Sequence, residues 1–234
     1  MQPELQPIRT GNTLPSQDYA AQQHRVLRNT YWLLALSLVP TIIGAAIGTN
    51  LNWSFMATNR VLASFAIIAI FYGWIFAIER NKTSSLGVAL LLGFTLYMGL
   101  LLGPLFQFAF QFRNGAQLVM MATGGTAAAF FGLATLASTT KRDFSFLTNF
   151  LAVGGIVLML GVVASIFLAS PILVLTLLGA FILFSSAMIL WQVNAIVRGG
   201  ETNYISAALT LYVSLWNLFT SLLQLLGVFG GNRN

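Results

Sequence analysis

The 234-residue chain contains no cysteine, one histidine and five acidic residues. Without cysteine there is no disulfide framework, no thiolate metal site and no cysteine nucleophile. His24 alone cannot build a histidine-ligated metal cluster, and no neighbouring histidine or carboxylate stands within an apolar stretch to activate one of the serines. Catalysis therefore has no foothold, and no cofactor is expected: Gly124-Gly125 and Gly199-Gly200 are isolated pairs, not a phosphate-cradling loop followed by lysine. Charge is scarce as well. Only 7% of residues are Asp, Glu, Lys or Arg, against about 25% in an ordinary soluble domain.

What fills the chain instead is apolar: 57% of residues are hydrophobic and the mean hydropathy is +0.83. A soluble fold of this size keeps too much surface in water to hide that much apolar area. Soluble enzymes and disordered chains are excluded, and the lipid bilayer is the solvent. The net charge of +6 could suggest nucleic acid. The basic residues are scattered through short connections, however, so the membrane surface is the expected partner and nucleic acid is not.

About 20 apolar residues carry a helix across the hydrocarbon layer. Seven stretches meet that need: 31–48, 61–78, 86–110, 116–138, 146–168, 171–197 and 204–229. The expected fold is an all-α membrane protein, a seven-transmembrane helix bundle over 31–229, followed by a short outer tail at 230–234. Residues 1–30 are polar and contain Pro3, Pro7 and Pro15, and they read as a mobile cytoplasmic tail rather than a cleaved signal peptide. Placing the amino end in the cytoplasm puts Arg9, Arg25, Arg28, Arg80, Lys82, Lys141, Arg142 and Arg198 inside and only Arg60, Arg113 and Arg233 outside. That is the bias expected of cytoplasmic loops. Seven spans then place the carboxyl end outside. Tyr31, Trp32, Trp53, Trp74 and Tyr204 mark interfacial edges, and Asn52-Trp53-Ser54 forms a glycosylation sequon in an outer loop.

Helices in lipid gain little by hiding apolar side chains from one another, so close backbone approach matters more. Small residues four apart, Gly44 with Gly48, Gly99 with Gly103 and Ala128 with Gly132, supply it. An internal seam is the favoured reading over a dimer face. Pro40 and Pro104 should bend their spans, and Pro171 suits a first helical turn.

No charge falls in the middle of a span, which argues against an active pump. The last span carries a different signal. Thr210, Ser214, Asn217, Ser221 and Gln224 recur at steps of three and four, one helical face over about four turns. In lipid such a face turns inward, which makes the last helix the expected centre of the bundle. Ser185 and Gln192, seven apart on the sixth span, can face it, with Asn194 nearby. The stripe reads either as interhelical glue or as the lining of a narrow cation path; without carboxylates, such a path would hold a divalent ion such as Ca²⁺ weakly and form no metal site. Glue is favoured.

The closing segment, GGETNYISAALTLYVSLWNLFTSLLQLLG, resembles the carboxyl-terminal signature of the Bax inhibitor-1 (transmembrane Bax inhibitor motif) family. GLLLGPLF at 99–106 and ATGGTAAAFF at 122–131 are similar to that family too. HRVLRNTYWLL at 24–34 and KRDFSFL at 141–147 resemble its bacterial YccA-like branch. The resemblance implies seven helices and a multi-pass protein of the bacterial inner membrane. Many members carry an aspartate on each of the last two helices as a pH-sensing element for calcium leak; the matching positions here hold Gln192 and Ser214. Paired carboxylates titrate because each raises the other's proton affinity, and an amide with a hydroxyl does not. The resemblance to the YccA-like branch implies instead a modulator, and substrate, of the membrane-anchored AAA protease FtsH. The protease-engaging residues would lie in the amino-terminal tail: Met1, Gln2, Pro3, Glu4, Asp18 and Tyr19. A passive calcium leak through the last two helices is the alternative.

Overall fold

The computed structural model describes residues 15–140 and 143–231, with side chains from residue 21 on. Its described elements are α1 (Pro15–Gly48), α2 (Ser54–Thr58), α3 (Arg60–Arg80), α4 (Ser85–Leu100), α5 (Gly103–Ala109), α6 (Gly115–Thr139), α7 (Leu147–Leu168), α8 (Pro171–Val197) and α9 (Tyr204–Gly230). Seven stretches are long and apolar enough to cross a membrane: Ala21–Gly48, Arg60–Arg80, Ser85–Ala109, Gly115–Thr139, Leu147–Leu168, Pro171–Val197 and Tyr204–Gly230. Helices are the outcome because hydrocarbon offers nothing to pair with an open backbone, and a helix satisfies its own N–H and C=O groups. Each expected span is present, and apart from the start of the first, the edges agree to within a residue or two.

That start is the main difference. The expectation of a tail through residue 30 meets a helix that begins at Pro15, while Met1, Gln2, Pro3 and Glu4 lie outside the described residues. Asp18 and Tyr19 fall in the helical backbone. Residues 16–29 are polar yet rich in good helix formers (Gln, Ala, Leu, Arg), and Pro15 suits a first helical turn, so polarity there reports water rather than coil. The extra turns are docked: Val26 is buried with Ile196 and Ala207.

Two further boundaries follow from backbone chemistry. The expected span 86–110 is broken at Leu101–Leu102, because Pro104 has no N–H to continue the ladder and sits in the first turn of α5. α1, by contrast, continues through Pro40. α8 starts where Ser170 accepts a hydrogen bond from the Leu173 N–H and Pro171 fills the first turn. It ends at Gly199, whose positive φ of 76° lets the Gly200 N–H reach the Ala195 carbonyl at 2.8 Å. α9 is capped by the Asn203 side chain, which accepts from the N–H groups of Ile205 and Ser206.

The glycine pairs of α1 and α4 face each other. A Cβ on Gly44 would collide with the Leu96 carbonyl, one on Gly99 with the Thr41 carbonyl, and one on Gly103 with the Gly48 carbonyl. These pairs are an internal seam of backbone against backbone. The third pair differs: Ala128 and Gly132 are exposed, and a Cβ on Gly132 would meet nothing. The core gathers Leu33, Ile78, Phe94, Ile189, Leu211 and Tyr212, drawn from α1, α3, α4, α8 and α9. α9 packs on α1, α3, α4, α5, α6 and α8, whereas α7 rests mainly on α8.

Candidate functional site

The polar residues of α8 and α9 are buried to very different degrees of satisfaction. On α8, Gln192 is 2% exposed and Ser185 is 1% exposed. Neither the Gln192 Nε2 nor the Ser185 Oγ has a hydrogen-bond partner. Asn194, also buried, does have one: its Oδ1 accepts from the Phe144 N–H at 3.2 Å and ties the connection before α7 to the end of α8. Just beyond, the Trp191 indole N–H donates to Thr148 Oγ1 at 2.9 Å, joining α8 to α7.

On α9, the stripe bonds mostly to its own helix. Ser214, buried, donates to the Thr210 carbonyl at 2.8 Å. The Asn217 carbonyl accepts from Thr220 at 3.2 Å, and the Gln224 Nε2 donates to the Thr220 carbonyl at 3.1 Å. Ser221 is buried, while Thr210, Asn217 and Gln224 are half-buried. Ser214 and Gln192 are thus both buried but not joined by a hydrogen bond. A short hydroxyl in hydrocarbon reaches the carbonyl one turn back before it reaches a neighbouring helix, which is why the stripe bonds inward along α9.

The hydrogen bonds that cross between helices come from residues outside the stripe. Tyr212 is 2% exposed. Its hydroxyl lies 2.8 Å from Thr41 Oγ1 and 3.3 Å from the Thr95 carbonyl, so α9, α1 and α4 meet at one oxygen. The Trp216 indole N–H donates to the Met98 carbonyl at 3.2 Å. Long aromatic side chains carry a polar tip across the gap between helices, where the hydroxyls of the stripe turn back to their own backbone. Tyr212 and Trp216 lie outside the polar periodicity that marks the stripe, and the signal they carry is the polar tip of each ring.

A second polar cluster sits where α3, α4 and α9 end or begin. The Glu79 carboxylate accepts from Lys82 Nζ at 3.0 Å and from Ser206 Oγ at 3.0 Å. Asn203 Nδ2 donates to the Lys82 carbonyl at 2.8 Å. The hydrogen bond that Lys82 donates to Glu79 holds its ammonium above its ordinary pKa. Both side chains are well exposed (44% and 37%), so the pair orients more than it stabilises. In the connection before α7, the Ser145 N–H donates to Asp143 at 2.8 Å, which holds that carboxyl below its ordinary value. Among the described residues there is no cluster of three His, Asp or Glu side chains that could hold a metal.

Helix content, span number and the placement of polar groups define the class: a multi-pass, all-α membrane protein of seven long helices, whose buried polar residues on the last two helices are uncharged. The chain belongs to the Bax inhibitor-1 family, for the family described as "Inhibitor of apoptosis-promoting Bax1" matches residues 23–231. It is 45% identical over 214 residues to an uncharacterized protein of Neisseria meningitidis serogroup A, covering 89% of this chain and 94% of the relative. It is 40% identical over 207 residues to an uncharacterized protein of Pseudomonas aeruginosa, covering 88% and 90%. It is also 40% identical over 204 residues to the Escherichia coli K12 protein named "Modulator of FtsH protease YccA", covering 87% and 90%.

Proposed function

We propose that this chain restrains an FtsH-type AAA protease of a bacterial inner membrane, which engages the amino-terminal segment from the cytoplasmic side and treats the chain as both modulator and slow substrate. The observation that carries this reading is the 40% identity, over 87% of the chain, to the Escherichia coli protein named as a modulator of that protease. The packing supplies a physical reason for slowness. Residues 1–14 precede α1, so a pull on the amino end loads α1 first. α1 is the helix locked to α4 and the start of α5 through Gly44, Gly48, Gly99 and Gly103, and through Thr41 to Tyr212 of α9. Force applied there must part a backbone-to-backbone seam in a medium where the freed polar groups find no water.

A calcium leak through α8 and α9 gains little from this geometry, because the hydrogen bonds of Ser214 and Gln224 go to carbonyls of their own helix. The test is copurification of the protease with the full chain and with a chain lacking residues 1–14. Association with the full chain and its loss on truncation are the expected result. Equal recovery of the protease by both chains overturns engagement through the amino-terminal segment, and recovery by neither overturns the partnership.

A further inference from the structure

A groove separates α1 from α6. It encloses about 1040 Å³, walled by α1 from Tyr31 to Thr49 and by α6 from Thr123 to Thr139, with Trp216 and Phe219 of α9 on its floor. The α1 wall is about 27 Å long at 1.5 Å per residue, close to the hydrocarbon thickness of about 30 Å. The groove therefore runs most of the way across the bilayer, and its occupant is apolar.

Two observations choose between a lipid chain and a partner helix. The first is that most of the wall hydroxyls are already used. Thr49, Thr123, Thr126, Ser138 and Thr139 each donate to a carbonyl of their own helix, and Thr41 bonds to the Ser37 carbonyl and Tyr212. A transmembrane helix docks through close backbone approach and hydrogen bonds across the interface, and these hydroxyls are already committed. A helix about 10 Å wide and as long as the wall would also need about 2100 Å³, twice what the groove encloses. An acyl chain asks for no hydrogen bond and fits a narrow slot.

The second observation is charge at one mouth. The lining positions Tyr31, Ala35 and Leu38 follow helical spacing along α1. Arg28, three residues before Tyr31 and seven before Ala35, stands at the edge of that face, and Arg25, three residues earlier on the same unbroken helix, is its neighbour one turn on. Both arginines are exposed. A guanidinium fork matches a phosphate, and basic pockets at helix ends hold anionic headgroups.

We propose that the groove between α1 and α6 binds an anionic phospholipid, its acyl chain lying along α1 and its phosphate held by Arg25 and Arg28. The occupant is distinct from the protease partner, and the proposal does not depend on that reading. It is tested on the purified full chain by native mass spectrometry after equimolar addition of phosphatidylglycerol and phosphatidylcholine with identical acyl chains. The expected result is a preference for phosphatidylglycerol of about 25-fold, since each of the two basic residues near an anionic headgroup contributes a factor of about five. R25Q/R28Q brings that preference close to unity, whereas R80Q, which removes a charge away from the groove, leaves it unchanged. A127W, which fills the groove, lowers retention of both lipids, and A35F does the same should A127W fail to fold. Equal retention of the two lipids by the native chain overturns the proposal. So does a preference unaltered in R25Q/R28Q, an equal loss in R80Q, or undiminished retention by a folded groove-filling variant. Recovery of a single-pass protein in the groove, blocked by A127W, also overturns it.

Discussion

At the scale of single residues, the bundle is held by a few polar tips and by the absence of a few side chains. Tyr212→Phe removes one oxygen shared by α9, α1 and α4. Hydrogen bonds between helices in membranes average about 0.6 kcal/mol and reach about 1.7, so a loss of about 1 kcal/mol in reversible unfolding is expected. A double-mutant cycle with Thr41→Val should show coupling; strict additivity would mean that the hydroxyls contribute nothing together. The glycines divide in the same way. Gly99→Ala places a Cβ against the Thr41 carbonyl and should cost about 1–3 kcal/mol as overpacking. Gly124→Ala meets nothing within reach and should stay within about 1 kcal/mol of the parent. Equal behaviour of the two in thermal unfolding would contradict the seam.

Gln192 and Asp143 give two further residue-scale outcomes. A buried donor with no acceptor costs about 1–3 kcal/mol, and Gln192 Nε2 is such a donor. Gln192→Leu should therefore leave stability equal or raised; a loss of more than about 1 kcal/mol would show that the amide has an essential partner. For Asp143, the N–H of Ser145 favours the charged carboxylate and lowers its pKa in the folded chain. Its contribution is present above the ordinary value of 3.8 and disappears as pH falls below it. The carboxyl carbon shift should titrate with a midpoint under 3.8, and a midpoint at or above 3.8 would contradict the contact.

At the scale of elements, legibility followed the physics of each signal. The spans were readable because hydrocarbon demands length and hydropathy and little else. The amino-terminal turns of α1 were missed because residues 16–29 are polar, yet polarity does not forbid a helix that stands clear of the apolar layer and docks through Val26. The break between α4 and α5 was half legible: Pro104 announced a bend, while the sequence could not say that the helix would stop at Leu100. The stripe residues all lie on α9, but periodicity says nothing about where a hydroxyl points. Ser214 turned to Thr210 in its own helix, and the bonds to other helices came from Tyr212 and Trp216, which lie outside that periodicity. Small-residue spacing likewise could not separate the buried seam of Gly44 and Gly99 from the exposed Ala128 and Gly132.

For the whole molecule, the question is what a seven-helix bundle with an uncharged polar pair can do. On its last two helices this chain places Gln192 and Ser214, both buried and neither able to titrate at physiological pH. Liposomes containing the purified chain should hold a calcium gradient equally well from about pH 5 to 8, because neither α8 nor α9 carries a carboxylate within its span to change charge over that range. A pH-dependent flux would contradict that reading of the site. The resistance to extraction proposed for this chain would belong to the fold as a unit, since α1 is bound both to α4 and to α9. The most direct test of the central claim is the rate at which a reconstituted FtsH-type protease degrades a membrane client. The full chain should slow client turnover, and a chain lacking residues 1–14 should not. Turnover unaffected by the full chain, or slowed equally by the truncated one, would contradict the account.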